Sequence, residues 1–301
     1  MARVLVTGAS GFIGTALVPR LVAAGHVPRV MLRRAPTASP AAPVEVAVGD
    51  LDRPETLRAA TEGCEAVVHL GAATSAGRID PAVAYRVNVG GATALIDACR
   101  ATGCRRVVVM STQHVHLPNC GLYGRTKRIA DTLFEGSGLD VTVLRPSLVY
   151  GPGTRGVFVK LAGLVRKLPV IPVIGPGQWH LRPLHLDDLI AIIVETLARP
   201  ELAGRTYDVG GPERVTYDEF LSAICAALGR PCRRLHLPIR VSFVLAWMLE
   251  RLLPSPPLTV ENVYGSLLEA PCDLRALMRD YHPGLTPLAD GLGRALAEVP
   301  A

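Results

Sequence analysis

Lysine is almost missing from this chain of 301 residues: Lys127, Lys160 and Lys167 are the only three among 32 basic side chains. A lysine at a chemically demanding position therefore carries more information than an arginine would. The seven cysteines, Cys64, Cys99, Cys104, Cys120, Cys225, Cys232 and Cys272, include no CxxC pair, and their spacing suits neither a zinc site nor a disulfide framework. Reduced thiols fit the cytoplasm, which is the expected location. The apolar stretches are too short or too interrupted to span a membrane, and the N-terminus reads as a strand where a signal peptide needs a basic region and an apolar core. His114 and His116 read as sharing one strand face, but no third ligand accompanies them, so no metal is expected. The formal charge is +6, yet the basic residues are scattered and have few aromatic neighbours. That pattern argues against nucleic acid as a partner and suits a phosphate-bearing ligand.

What the chain does have is RVLVTGASGFIG at Arg3 to Gly14. The apolar run Val4, Leu5, Val6 reads as a buried strand, and Gly8, Gly11 and Gly14 follow it directly. Gly8 can take the positive φ of a tight turn, Gly11 lacks the Cβ that would block a pyrophosphate, and Gly14 allows close packing of the next helix. That helix, expected over Phe12 to Ala24, aims its free N–H groups and the positive end of its dipole at the phosphates. Pro19 lies inside it, removes a hydrogen bond to Thr15 and predicts a kink.

Arg29 to Leu32 reads as a second strand that ends in Arg33 and Arg34. An acidic residue at this place would accept from a ribose 2′-OH, whereas a basic one accommodates a 2′-phosphate, so the expected cofactor is NADP(H), with NAD as the alternative. Thr37 to Pro43 is read as an exposed loop, Val44 to Val48 as a third strand, and Pro54 as the opening of a short helix. Strands follow at Ala66 to Leu70, Arg106 to Met110 and Leu139 to Leu144, separated by helices over Ala82 to Thr102 and from near Tyr123. The alternation predicts an α/β fold with a doubly wound parallel sheet over residues 1–150. Residues 151–301 are expected to form a smaller, mostly helical substrate lobe, with about 182–211 returning to the sheet. In that lobe helices are read at Gly156 to Leu168, His185 to Ala198 entered through Asp187 or Asp188, and from a Thr216 cap to Leu228. Ile239 to Leu253 is strongly apolar but too short to span a bilayer, and is expected to be buried in the lobe or at a subunit contact, so a homo-oligomer is possible.

Tyr123 and Lys127 stand four apart on a predicted helix and so share a face. An ammonium there stabilises a phenolate, which lets the tyrosine exchange a proton with a substrate hydroxyl or carbonyl. Ser111 and Thr112 close the preceding strand and offer a hydroxyl to orient the substrate oxygen.

These segments resemble the extended or atypical short-chain dehydrogenases/reductases, the NAD-dependent epimerase/dehydratase family. The resemblance rests on TGASGFIG (Thr7 to Gly14), GDL (Gly49 to Leu51), HLGAA (His69 to Ala73), NVGG (Asn88 to Gly91), YGRTK (Tyr123 to Lys127) and RPSLVYGPG (Arg145 to Gly153). It implies a Rossmann fold and a catalytic set of Thr112, Tyr123 and Lys127, with Thr112 matching the hydroxyl position better than Ser111. It also implies cofactor contacts from Gly8, Gly11, Phe12, Ile13 and Gly14, from Asp50 and Leu51 at the adenine, and from Leu70, Gly71, Ala72 and Asn88. Lys127 would hold the nicotinamide ribose, and Pro146, Ser147 and Leu148 would border the nicotinamide.

Two departures bear on the substrate. Gln113 and His114 occupy the places of the acidic pair of sugar-nucleotide dehydratases. The arginine that meets the diphosphate in related epimerases aligns with Leu181, so Arg182 is shifted by one and expected on the other face. The implied activity is hydride transfer to or from a carbonyl or secondary alcohol of a small molecule. Alternatives are a nucleotide-sugar epimerase-like enzyme and a non-catalytic holder of cofactor. The stretches QWHLRPLHLDDLI, GRTYDVGGPERVTYDEF and ERLLPSPPLTVENV favour the last, since they look similar to the subgroup related to the nucleotide-binding accessory subunit of respiratory complex I.

Overall fold

Strands that are apolar on both faces need cover on both sides, and the central strands have it: Val4, Leu5, Val67, Val68, Val107 and Val108 are fully buried. The computed structural model describes residues 1–37, 43–74, 80–153, 157–253, 256, 258–265 and 269–297. The first half alternates as β1 (Arg3–Thr7), α1 (Phe12–Ala23), β2 (Val27–Leu32), β3 (Glu45–Val48), α2 (Glu55–Thr61), β4 (Ala66–His69), α3 (Pro81–Tyr85), α4 (Gly91–Thr102), β5 (Arg106–Met110), α5 (Gly121–Glu135) and β6 (Asp140–Pro146). The second half holds β7 (Val149–Tyr150), α6 (Val157–Lys167), β8 (Ile171–Ile174), β9 (His180–Leu181), β10 (Leu184–His185), α7 (Leu186–Ala198), β11 (Arg205–Val209), β12 (Val215–Thr216), α8 (Tyr217–Ala227), β13 (Arg234–Leu237), α9 (Ile239–Leu252), α10 (Val260–Gly265), α11 (Arg275–Tyr281) and α12 (Leu288–Ala297).

Seven strands form one parallel sheet in the order β11-β6-β5-β4-β1-β2-β3. This is the doubly wound Rossmann fold expected from the strand–helix alternation. Strand order reverses between β1 and β4, which opens a crevice at their carboxyl ends. One face packs Leu17 and Leu21 of α1 with Leu189 and Ile193 of α7, and the other packs Leu57, Leu95 and Phe134 of α2, α4 and α5. A separate core built around Tyr150, Phe158, Phe220, Ile224 and Leu292 lies under the C-terminal elements. β11 joins the sheet beside β6.

Several expectations are corrected. β2 starts two residues early at Val27, where the amide N–H donates to Ala2 O (2.9 Å). The single helix expected over Ala82 to Thr102 is broken by a π-helical turn at Arg86–Gly90, whose wider winding carries Asn88 inward. His114 and His116 lie on no strand: the Thr112 hydroxyl accepts from His114 N (3.3 Å) and starts a 3-10 turn over Gln113–His116. The cap of α7 is His185, whose Nδ1 accepts from Asp187 N (3.3 Å), while Asp188 accepts from the amide and hydroxyl of Thr286. α1 continues through Pro19 to Ala23. The Thr37 to Pro43 loop and the start of the helix expected from Gly156 fall partly outside the described residues. α9 is not buried; of its residues only Ser242 and Ala246 are.

The packing of α1 on β1 depends on Gly14. A Cβ there would sit 2.5 Å from Gly8 O and 2.6 Å from Ala9 Cα, both backbone atoms that cannot move aside independently. Gly14→Ala is therefore expected to cost about 1–3 kcal/mol of unfolding free energy, measured by denaturant titration against the parent chain.

Candidate active site

The crevice begins at the turn between β1 and α1. Gly8 has φ of +69°, and a Cβ on it would lie 2.8 Å from Gly71 N, so the turn rests directly on the backbone that leaves β4. Gly71 N in turn donates to the Thr7 hydroxyl (3.1 Å), and Leu70 N to Thr7 O (3.2 Å). α1 begins at a Gly11 cap with no side-chain cap bond and no acidic residue in its first turn. The first-turn N–H groups, among them those of Phe12 and Ile13, are left without intrahelical acceptors and face the crevice with the positive end of the dipole. With no acidic residue in that turn and no side-chain cap, the donor set fits a pyrophosphate.

The other candidate cofactor residues divide into those that face outward and those spent on the protein. Arg33 and Arg34 follow β2, are exposed and pair with no described carboxylate. Asp50 accepts from Asp52 N (3.1 Å) through its carboxylate, which shapes the loop after β3. Leu51 is buried; its side chain fills the space over Gly71 and Gly91 that a Cβ on either would contest. The Asn88 amide accepts from Ala73 N (2.7 Å) and donates to Ala73 O (3.0 Å) and the Thr126 hydroxyl (2.9 Å). It thus positions the segment Leu70, Gly71, Ala72. Beyond Pro146, Ser147 N donates to Val209 O (2.8 Å) and Leu148 O accepts from Leu184 N (2.9 Å). These bonds carry the end of β6 into the C-terminal lobe.

The candidate catalytic residues stand at the end of β5 and on α5, which pack together through the turn after Thr112. The Ser111 hydroxyl donates to Asp131 Oδ2 (2.8 Å) and is buried. Thr112 accepts from His114 N and keeps its own hydroxyl proton to donate. Arg128 holds the intervening turn against α5 by donating to Val115 O (2.8 Å) and Leu117 O (2.5 Å). Lys127 is buried, and burial lowers its pKa while Asp131, one helical turn on, pulls it back up. Arg145 Nε also donates to Asp131 Oδ2 (3.0 Å). Burial pushes the Tyr123 phenol up to about 12, and the Asp131 charge adds to the shift. Asp131 is thus an electrostatic partner of both Lys127 and Tyr123.

Sequence reading missed Asp131, Arg145, Arg128, Thr126 and His69. Asp131 carried a signal, since it repeats the four-residue step from Lys127 on the same face. His69 ends a strand of otherwise apolar residues; its Nδ1 lies 2.8 Å from the Thr7 hydroxyl, and burial with nearby Lys127 lowers its pKa to about 3. Arg182, expected to face away from a diphosphate, donates to Pro212 O (2.9 Å), and Leu181 is buried in the lobe core.

Residues 4–210 match the NAD dependent epimerase/dehydratase family. The chain is 30% identical to a ceramide reductase of Caulobacter vibrioides over 244 residues, covering 78% of this chain and 73% of that protein. It is 30% identical to a 2-alkyl-3-oxoalkanoate reductase of Stenotrophomonas maltophilia over 292 residues, covering 85% and 87%. Its fold matches the structure of MoeE5 in complex with UDP-glucuronic acid and NAD with a TM-score of 0.76 at 24% identity, over 98% of both chains.

The buried neutral His69 has a consequence for stability. The unfolded chain binds a proton at His69 near pH 6.5 while the folded chain does not until about 3. Stability from this group is therefore present above pH 6.5 and is lost as pH falls below it. Asp131, its carboxyl raised by burial, acts in the opposite sense. Comparison of the parent with His69→Asn isolates the histidine: between pH 6.5 and about 5 the parent should lose up to about 1.4 kcal/mol per pH unit more than the variant, read from denaturant midpoints.

Proposed function

The chain belongs to the NAD dependent epimerase/dehydratase family, and on that premise we propose that it is an NADP(H)-dependent oxidoreductase interconverting a carbonyl and a secondary alcohol, with Tyr123 as the acid/base. One observation carries the reading. At the carboxyl end of β5 the Ser111 hydroxyl is consumed by Asp131, whereas Thr112 retains a donor beside the helix that bears Tyr123 and Lys127.

In the direction of reduction the bound dinucleotide supplies the hydride. Thr112 donates a hydrogen bond to the substrate carbonyl oxygen and fixes its orientation. Tyr123, held protonated by burial, gives its phenolic proton to that oxygen as the alcohol forms. Lys127, whose charge Asp131 supports against burial, favours the phenolate left behind and would hold the nicotinamide ribose hydroxyls. First-turn amides of α1 would hold the pyrophosphate, and Arg33 and Arg34 would bind the 2′-phosphate.

The substrate class we infer is an apolar, long-chain carbonyl or alcohol. The two reductases to which the chain is similar are named for a ceramide and for 2-alkyl-3-oxoalkanoates. Arg182 supports the same reading against a nucleotide sugar, because its guanidinium is engaged by the Gly211 and Pro212 carbonyls. The non-catalytic reading, with its resemblance to the complex I accessory subunit, becomes the right one if the cofactor is never turned over.

Two measurements test this reading. NADPH should bind about tenfold or more tightly than NADH, and Arg33→Ser with Arg34→Ser should erase that preference; equal affinities in the parent would overturn the cofactor assignment. On long-chain 3-oxo substrates, Tyr123→Phe should lower kcat by roughly 10²–10⁴-fold with cofactor affinity nearly unchanged. Turnover by the variant at the parental rate would exclude Tyr123 as the acid. Conversion of UDP-glucose in place of any long-chain ketone would establish the epimerase reading instead.

A further inference from the structure

α9 departs from the rule that a helix of a folded lobe hides its apolar face. Val241, Val244, Leu245, Trp247, Met248 and Leu252 recur at three- and four-residue steps and lie on the outside, with Val244 59%, Trp247 50% and Leu252 72% exposed. The helix meets the protein through its small buried residues Ser242 and Ala246 and through Phe243, whose ring packs edge-on against Tyr264 of α10 at 4.8 Å. Its apolar surface is thus unpartnered among the described residues.

The exposed charges on α9 are arginines. Arg240 and Arg251 are exposed on α9 itself, and Arg230 and Arg233 are exposed just before it; none pairs with a described carboxylate. Arg251 lies over the Trp247 ring at 3.9 Å, which places a guanidinium and an indole together at the margin of the apolar patch. Glu250 is the one acidic residue between Arg230 and Leu253, and its carboxylate accepts from Val260 N (2.9 Å) at the start of α10. The neighbouring Arg234 is neutralised by Asp218.

From this combination we infer that α9 is a docking face for the surface of an anionic phospholipid bilayer. The apolar side chains enter the acyl boundary while Arg240 and Arg251 meet lipid phosphates, with the Trp247 indole at headgroup depth. No helix among the described residues is long and apolar enough to cross a membrane, and the 14 residues of α9 cover only about 21 Å, so the helix lies in the plane of the surface. A second copy of the chain fits less well. A two-fold contact through this face would bring the arginines of two copies together with no exposed carboxylate on the helix to meet them. α10 packs against both α9 and α5, so the docking helix is linked through one intervening helix to the one that carries Tyr123. This inference stands whether or not the reaction proposed above is correct.

Sedimentation of the full chain with vesicles tests it. The protein should co-sediment with phosphatidylcholine vesicles containing phosphatidylglycerol, more weakly in high salt, and about tenfold or more less with phosphatidylcholine alone. Trp247→Glu with Leu252→Glu should abolish binding, and Arg240→Glu with Arg251→Glu should weaken it on anionic vesicles only. These positions are exposed, so thermal midpoints should be preserved. As a measurement that needs no variant, lipid brominated in the acyl chain should quench tryptophan fluorescence of the parent chain. Absence of co-sedimentation together with absence of quenching overturns the proposal, as does equal binding to neutral and anionic vesicles. A dimer in light scattering that is lost in Trp247→Glu with Leu252→Glu, without vesicle binding by the parent, would assign the face to a second copy.

Discussion

Two stretches of backbone meet without side chains between them where the strand order reverses, and the geometry of the crevice depends on that contact. Gly8 rests on Gly71, and Gly14 rests on the Gly8 carbonyl. Leu51 fills the volume that side chains at Gly71 and Gly91 would otherwise take, so the ends of β1, β3 and β4 and the start of α4 interlock around one leucine. What remains open to a ligand is therefore polar backbone at the α1 terminus. Substituting Gly8 or Gly14 pushes rigid main-chain segments apart, so the cradle and the core of the sheet share the same contacts.

The second constraint is the way α5 is fixed. Asp131 is a buried carboxylate that receives the Ser111 hydroxyl and the Arg145 guanidinium and lies within electrostatic reach of Lys127. Asn88 ties Thr126 to the loop after β4, and Arg128 ties α5 to the turn after Thr112. Three elements that end at the crevice are thus referenced to a single helix. A buried ion cluster is weak evidence for stability, because desolvation offsets most of its Coulombic gain. Its clearer effect is positional: Tyr123 and Thr112 can cooperate on one oxygen only if α5 holds its register against β5, and each tie removes a way of losing it.

Much of this architecture was legible from residue patterns because the cause of each element was local. Val4 to Val6 and Arg106 to Met110 read as strands because continuous apolar runs of that length need two covered faces. Thr216 read as a cap, and the structure adds the reciprocal Glu219 bond. Features set by residues distant in sequence were not legible. The π-helical turn exists so that Asn88 can reach Ala73 and Thr126, and neither partner can be inferred from NVGG alone. His185 capped α7 in place of the aspartates because Asp188 is claimed by Thr286, nearly a hundred residues away. The four-residue step from Tyr123 to Lys127 is legible in the sequence, whereas the burial of Asp131 one step further, and its bonds to Ser111 and Arg145, are set by residues distant in sequence.

The excess of arginine over lysine gains a physical meaning once its uses are separated. Arg106, Arg128 and Arg182 donate to main-chain carbonyls and close loops, a task that suits a planar fork with several donors. Arg145 and Arg199 are held by carboxylates. Such groups contribute to the net charge of +6 without offering it to a ligand. Arg33, Arg34, Arg240 and Arg251 differ in being exposed and unpaired with described carboxylates, one pair at the end of β2 and the other on an apolar helix. Net charge alone pointed to a phosphate-bearing partner in general. Its distribution separates two exposed arginine pairs, which under the two proposals would meet a dinucleotide 2′-phosphate at the end of β2 and lipid headgroups under α9, and each pair can be removed without the other.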